Sequence, residues 1–203
     1  MNSKRTLSLS KKLKVLLIEA DELKAKAFMQ GLDSDKYQVD WLSNSGHSLL
    51  KAVESCEPDI VIIDVESPDR DTLDSLNHLS ANAPKPVVMF SDDDNTNTIN
   101  KMIKAGVSAY VAGGTDLTRV QSILETAIAR FSEYQSLKQQ LVETKQKLSS
   151  QKTIQKAKAW LMENKGYSEQ DAYHFIRKTA MDNSQTMEAV AKNILSFVSV
   201  LGD

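Results

Sequence analysis

The chain has 203 residues, of which 41% are hydrophobic and 26% are charged. This composition is ordinary for a globular protein and excludes a fibrous, collagen-like or wholly disordered chain. The apolar runs are too short for a membrane span, and no apolar segment of a secretory signal follows the basic N-terminus. The single cysteine, Cys56, and three scattered histidines exclude an internal disulfide framework and a recognisable zinc site. We therefore expect a cytoplasmic protein without membrane association.

The net charge of −2 is unevenly distributed along the chain. Residues 1–15 carry a net charge of +5, residues 16–137 carry −10 and residues 138–203 carry +3. An acidic body with a basic C-terminal part indicates two modules with different partners, and the basic module could bind a polyanion. The alternative interpretation is a lysine-rich helix face that only contacts solvent.

The chain up to Gly114 alternates between short apolar runs and segments with helical spacing. The predicted strands are 14–18, 38–42, 60–63, 87–90 and 109–111, and the predicted helices are 21–32, 49–53, 73–79, 99–105 and 117 onward. Five strands that alternate with five helices predict an α/β module with a parallel sheet covered on both faces. The flavodoxin-like strand order is the leading candidate, with its site at the C-terminal ends of the strands.

Acidic and hydroxyl residues follow three of these strands. Glu19 and Asp21 follow the first strand, Asp64 ends the third, and Ser91 and Asp92 end the fourth. In a parallel sheet these positions gather at one rim, where carboxylates can hold Mg²⁺ and one can accept a phosphoryl group. The alternative is that these short polar residues cap the helices that follow them.

Four segments of the first module resemble a response-regulator receiver domain. They are residues 15–21, 58–64, 86–91 and 105–111. The resemblance implies that Asp64 is the equivalent of the phosphoacceptor. It also implies that Glu19, Asp21 and Ser91 form the acidic and hydroxyl pocket beside it.

Two residues depart from the receiver pattern. Ala20 stands where the family has the second of two adjacent Mg²⁺-binding acids, and Gly113 stands where it has the lysine that neutralises the phosphoryl group. We therefore expect a pseudo-receiver fold that does not depend on phosphorylation of Asp64. We also expect no metal or other cofactor, because Mg²⁺ would lack a ligand.

The chain from Leu117 to Asn164 contains neither proline nor glycine, which predicts one long helix. Every seventh residue of part of this stretch is apolar: Val120, Ala127, Tyr134, Leu141 and Leu148. A second seam position, four residues further on, is apolar at 124 and 131 and lysine at 138, 145 and 152. The pattern predicts a helical coiled-coil linker at 131–152 that pairs two copies. The alternative is an amphipathic helix that packs on its own receiver domain.

The C-terminal part is predicted to be a bundle of three helices. Ile154 begins the first helical pattern, Gly166 suits a left-handed cap, Ser168 starts the second helix and Met187 the third. The spacing places four residues on the inner face of the second helix: Ala172, Phe175, Ile176 and Ala180. Three aromatic side chains are predicted to be core residues rather than base-stacking platforms: Trp160, Tyr167 and Tyr173.

Three segments of this part resemble the ANTAR domain, the RNA-binding output domain of transcription antiterminators. They are residues 157–162, 166–173 and 176–183. The predicted organisation is a receiver-like domain at 11–130, the linker at 131–152 and an ANTAR domain at 153–203. Residues 63–73 and 105–111 look most like the nitrate/nitrite-assimilation branch, the NasT-like antiterminators.

Basic and amide side chains of the ANTAR-like part are predicted to bind RNA. These residues are Lys156, Lys158, Lys165, Arg177, Lys178 and Gln185. Lysines contribute affinity through phosphates, and arginine or glutamine can also contact the splayed bases of a loop. Lys158 and Arg177 are the strongest candidates, and both are expected to be exposed.

The resemblance implies a transcription antitermination regulator that binds a two-hairpin leader RNA and so prevents a terminator from forming. It further implies a homodimer on RNA and an inhibitory partner that senses nitrate or nitrite. The alternative function is a DNA-binding or phosphorylation-controlled two-component response regulator. The third helix has only Lys192 and Asn193 to read DNA, which argues against the DNA-binding alternative. We expect no enzymatic activity, because the chain has no phosphate-binding glycine loop or nucleophile elbow.

Overall fold

The computed structural model describes residues 11–43, 49–114 and 116–201, with side chains up to Ser196. The chain divides into two compact units, Met1–Tyr134 and Gln135–Asp203. Of the helices in the described ranges, none combines the length and the apolar character of a membrane-spanning segment.

The first unit contains a five-stranded parallel sheet. Its strands are β1 (Leu13–Ile18), β2 (Tyr37–Leu42), β3 (Ile60–Val65), β4 (Val87–Ser91) and β5 (Ala109–Ala112). Their order across the sheet is β2-β1-β3-β4-β5, and every neighbouring pair is parallel. The predicted flavodoxin-like fold is therefore confirmed.

Helices cover both faces of the sheet, because each connection between parallel strands crosses one face. The helices of the first unit are α1 (Glu22–Gln30), α2 (Leu49–Cys56), α3 (Arg70–Asn82), α4 (Thr96–Lys104) and the beginning of α5 (Val120–Lys165). One core lies between the sheet and helices α1 and α5, where the rings of Phe28 and Phe90 meet edge to face at 5.2 Å. The other core joins the sheet to α2, α3 and α4 through buried residues such as Leu76 and Met102.

Helix α5 is one continuous helix of 46 residues, preceded by a short 3-10 turn at Leu117–Arg119. Val120, Leu124 and Ala127 are fully buried in the core of the first unit. This agrees with the prediction of a long unbroken helix. The burial also shows that the alternative of packing on the receiver sheet holds for the beginning of the helix.

The second unit is a three-helix bundle made by the end of α5, α6 (Glu169–Asp182) and α7 (Met187–Leu201). Its core contains Ala157, Leu161, Ala172, Ile176, Ala180, Val190 and Ala191. Gly166 has a φ of 68°, the left-handed conformation that ends α5. The Ser168 hydroxyl accepts a hydrogen bond of 3.1 Å from the Asp171 backbone N–H and so caps α6.

The prediction that Tyr167, Tyr173 and Phe175 are buried in the core is wrong. Tyr167, Tyr173 and Phe175 are all exposed, with 41% of the Phe175 surface accessible. The physical reason is that α6 packs through small and narrow residues four apart, Ala172, Ile176 and Ala180. Phe175 lies beside that stripe and contacts the Tyr167 ring edge to face at 5.8 Å. Trp160 is half-buried against the core, as predicted.

Candidate receiver pocket and nucleic-acid interface

The C-terminal ends of the strands form a pocket of about 250 Å³ in the first unit. Asp64 near the end of β3 and Ser91 at the end of β4 line it, together with Asp92 and with Lys24 from the first turn of α1. The register of the sheet brings these residues together, because Asp64 pairs with Phe90 and Val65 pairs with Ser91. The predicted gathering of Asp64 and Ser91 at one rim is thus observed.

The carboxyl groups of Asp64 and Glu19 lie within hydrogen-bonding distance of each other. Burial, followed by the hydrogen bond with Glu19 and the negative charge of Glu19, raises the pKa of Asp64 to about 7. Glu19 Oε2 is buried and has no hydrogen-bond donor within the described residues. A proton on Asp64 would provide that donor, because two ionised carboxylates can only accept hydrogen bonds. The surroundings therefore favour the protonated form of Asp64.

Asp21 and Ser91 have structural roles in this arrangement. The Asp21 carboxylate caps α1 and accepts a hydrogen bond of 2.7 Å from the Leu23 backbone N–H. The Ser91 hydroxyl is buried and donates to the Glu66 carbonyl at 2.9 Å. For Asp21, the alternative of helix capping thus describes the observed contacts. The Glu19 side chain is instead buried, and its Oε1 accepts a hydrogen bond from the Asp21 backbone N–H at 2.8 Å.

Lys24 was not singled out from the sequence, although it is the basic residue of this pocket. Its positive charge lowers the pKa of Asp64 and so offsets part of the effect of burial. Its position in the first turn of α1, which starts at the rim, was the available signal. Gly113 has a φ of 80°, and its backbone N–H donates to the Ser91 carbonyl at 3.1 Å. A lysine at that position would have to adopt the left-handed conformation.

Asp64 and Asp92 are the carboxylates that line this pocket, and Glu19 and Asp21 lie near it. Glu19 and Asp64 are the two carboxylates turned toward each other, Ala20 offers no side-chain oxygen and Asp21 is committed to α1. Within the described ranges, no group of three or more acidic, histidine or cysteine side chains is arranged to hold a metal. Mg²⁺ in proteins is usually held by one or two carboxylates and several waters, so the absence of a resident Mg²⁺ stays a prediction that rests on Ala20.

In the second unit, most of the predicted RNA-binding residues are exposed. Lys156 and Lys165 lie on the last turns of α5, Arg177 and Lys178 on α6, and Gln185 in the connection between α6 and α7. The structure does not bring all of them to one place. Lys156 and Lys158 line a groove with Tyr173, and the residues that line this groove do not include Lys165, Arg177, Lys178 or Gln185.

The predicted exposure of Lys158 is wrong. Lys158 is only 7% exposed, and its ammonium group forms an ion pair of 2.7 Å with the Glu169 carboxylate at the beginning of α6. The reason is its spacing in α5, because it follows Ile154 by four residues and Ala157 by one and so belongs to the inward stripe. Its aliphatic stem is buried while its charged end leaves the core. The hydrogen bond from Lys158 lowers the pKa of Glu169.

Comparison with known families assigns both units. Residues 15–125, more than half of the chain, match the response regulator receiver domain, and residues 143–195 match the ANTAR domain. A response regulator from Thermotoga maritima has a similar fold, with a TM-score of 0.52 and 18% identity over 59% of this chain and 99% of that one.

Two known regulatory proteins are similar to this chain in sequence. The transcriptional regulatory protein PdtaR of Mycobacterium tuberculosis is 26% identical over 182 residues, which cover 90% of this chain and 89% of the relative. The nitrate regulatory protein of Klebsiella oxytoca is 41% identical over 64 residues, which cover 32% of this chain and 16% of that protein.

The chain therefore belongs to the response-regulator family, and it joins a receiver domain to an ANTAR domain. It is a transcription regulator of the ANTAR response-regulator type. The predicted resemblance to this type is confirmed.

Proposed function

We propose that this protein is a cytoplasmic antitermination regulator that binds a two-hairpin leader RNA through its second unit. The observation that carries the proposal is that the ANTAR match at 143–195 coincides with the folded bundle of α5, α6 and α7. Five of the six predicted RNA-binding residues are exposed on that bundle: Lys156, Lys165, Arg177, Lys178 and Gln185. Exposed cations can neutralise phosphates without a folding penalty. Lys158 is buried beneath this surface, and its ion pair with Glu169 joins α5 to α6.

The experiment is a selection from a pool of two-hairpin RNAs with randomised hexanucleotide loops, using the full-length protein. We expect enrichment of a small set of loop sequences and a binding constant that falls steeply with salt. Duplex DNA of the selected sequences is the matched control and should bind much more weakly. Equal binding to duplex DNA would favour the alternative of a DNA-binding response regulator, and no enrichment would contradict RNA recognition.

We infer that the protein pairs with a second copy through α5 when it binds RNA. Beyond the receiver core, α5 exposes an apolar stripe with Leu141 55% accessible, and its other members are Tyr134, Leu137 and Leu148. Leu137 follows Tyr134 by three residues and so adds an exposed apolar side chain to this stripe next to the lysine at 138. An exposed stripe with heptad spacing is complementary to a second copy of itself.

Regulation is proposed to use a partner protein rather than phosphorylation. Two departures from the receiver pattern support this proposal: Gly113 replaces the lysine and Ala20 replaces the second acid. The raised pKa of Asp64 also disfavours the carboxylate that would accept a phosphoryl group. Similarity to the nitrate regulatory protein of Klebsiella oxytoca supports nitrate or nitrite assimilation as the regulated process. The family resemblance implies an inhibitory partner that senses these ions. Purification of the tagged protein from cells grown with and without nitrate tests this, and we expect a second protein to co-purify only without nitrate. An identical set of co-purified molecules in both conditions would contradict it.

A further inference from the structure

A groove of about 850 Å³ lies in the second unit, lined by α5, by Tyr173 of α6 and by the start of α7. This volume falls in the range of about 300–1,000 Å³ that is typical of sites for small ligands. Gln151 and Gln155 of α5 are exposed at the groove and lie four residues apart, so they share one helix face. Lys152 and Lys156 form a second pair with the same spacing.

The charges along the groove favour an anionic occupant. Three lysines line it, at positions 152, 156 and 158, and its lining contains no carboxylate. Lys158 is already paired with Glu169, whereas Lys152 and Lys156 form no ion pair among the side chains that the structure describes. Two ammonium groups are therefore available to a ligand.

A neighbouring groove of about 750 Å³ makes an internal comparison, because it shares Gln151 and Ile154 with the first one. Its lining has one lysine, Lys147, and two carboxylates, Glu143 and Glu188. The Glu188 carboxylate accepts from the Ser150 hydroxyl and forms an ion pair of 2.6 Å with Lys192. Its polar groups are thus partly satisfied and its charge repels phosphates. Only the first of these two grooves is suited to a polyanion.

Tyr173 distinguishes the first groove from a plain patch of lysines. Its side chain is 43% exposed, and within residues 135–196 its hydroxyl has no hydrogen-bond partner. An exposed aromatic ring next to cations is the arrangement that proteins use to stack unpaired bases, since each base has a π-face. A glutamine side chain such as that of Gln155 can both donate to and accept from a base edge.

We propose that this groove seats one unpaired loop nucleotide of the RNA. The base stacks on the Tyr173 ring, its polar edge meets Gln155, and Lys152 and Lys156 contact the flanking phosphates. The inference rests on the proposed function and adds to it a base-binding residue, Tyr173, and a phosphate contact, Lys152.

The test uses the full-length protein and a hairpin taken from the loop selection, with 2-aminopurine placed at each loop position in turn. We expect the fluorescence of one position to be quenched on binding, and Tyr173→Ala to abolish that quenching and to weaken binding about ten-fold or more. Tyr173→Phe keeps the ring and should bind within about two-fold of the wild type. Tyr167→Ala is the matched control, because Tyr167 is an exposed tyrosine of the same unit outside the groove.

A second variant keeps the proposal testable if Tyr173→Ala fails to fold. Lys152→Gln combined with Lys156→Gln changes two exposed side chains, and it should lower the slope of log binding constant against log salt by about one to two units. If the wild type binds a selected hairpin and Tyr173→Ala shows the same binding and quenching, the proposed nucleotide site is wrong, whereas the proposal of RNA binding is still supported. Failure of the wild type to enrich any hairpin would overturn the proposed function and this inference with it.

Discussion

Asp64 makes the stability of the first unit depend on pH in an unusual direction. Because the folded state raises the pKa of Asp64 to about 7, the stabilising proton is fully present at acidic pH and is lost as the pH rises through that value. We expect Asp64→Asn, which is neutral at every pH, to gain on the wild type between pH 5 and pH 8. The expected gain in free energy of unfolding is on the order of 1–2 kcal/mol, measured by urea denaturation across this range.

Asp92→Asn is the matched control for this prediction. Asp92 lines the same pocket but is exposed, and its replacement removes one charge without removing the shared proton. The charge of Asp92 contributes least to the raised pKa of Asp64, so the pH profile of this variant should stay nearly parallel to that of the wild type. A wild-type stability that rises from pH 5 to pH 8 relative to Asp64→Asn would show that Asp64 is ionised in the fold.

We expect replacement of Lys158 to lower the stability of the second unit, and to affect RNA binding mainly through that loss. Lys158→Ala removes a buried aliphatic stem and leaves a gap in the bundle, so the free energy of unfolding should fall by about 1–3 kcal/mol. Lys158→Met keeps most of the stem and should recover much of that loss. Lys156→Ala, at an exposed position two residues earlier, should stay within about 0.5 kcal/mol of the wild type. Equal thermal unfolding of Lys158→Ala and wild type would contradict this role.

Lys158 and Phe175 show where reasoning from residue type stops. Charge indicated an exposed lysine and hydrophobicity indicated a buried phenylalanine, and the structure places each in the opposite way. Helical spacing already contained the answer for Lys158, since its stem continues the inward stripe of Ile154, Ala157 and Leu161. Phe175 could not be placed in this way, because the width of the stripe on α6 depends on how closely α5 and α7 approach.

At the scale of elements, the short apolar runs predicted the strands well. Residues 60–63 and 87–91 are buried on both faces of the sheet, so their continuous apolar runs are typical of central parallel strands. The ends of the helices depended on local chemistry that the sequence shows directly. Asp21, Asp69 and Asn95 cap α1, α3 and α4 through side-chain oxygens that accept backbone N–H groups.

The middle of α5 supports a prediction about pairing. Leu141→Glu places a charge in the exposed apolar stripe, and we expect it to shift the full-length protein from dimer toward monomer in the presence of RNA. Gln146→Glu adds the same charge to another face of the helix and should leave the oligomeric state unchanged. Sedimentation at micromolar concentration measures both variants, and circular dichroism checks that helix content is kept. A monomeric wild type on RNA would contradict pairing through α5.

At the scale of the whole molecule, a single helix contributes to both cores. Val120, Leu124 and Ala127 are buried in the first unit, and Ala157 and Leu161 are buried in the second. The residues of α5 between these two cores are mostly exposed. The sequence therefore predicts a helical linker, but it does not predict how many residues of α5 each core buries. The pocket of Asp64 and the groove of Tyr173 therefore belong to two units that are both built on α5.

Phosphorylation is expected to have no part in the output of this molecule. A phosphoryl group on Asp64 would lack the lysine that Gly113 replaces, and burial beside Glu19 raises the pKa of Asp64 and so disfavours the carboxylate that accepts it. We expect Asp64→Asn to bind the selected hairpin within about two-fold of the wild type, a difference well under 1 kcal/mol. Addition of acetyl phosphate should change neither protein. Asp92→Asn again controls for the loss of one negative charge in the pocket.

The contradicting result is specific and requires two observations on the same sample. The wild type would have to acquire acid-labile phosphate after treatment with acetyl phosphate, and its RNA binding would have to change in parallel. Asp64→Asn would then have to lack both effects while Asp92→Asn kept them. Phosphate on Asp64 without a change in RNA binding would show a pocket that retains the chemistry of its family but is uncoupled from the ANTAR unit, which the proposal of regulation by a partner protein accommodates.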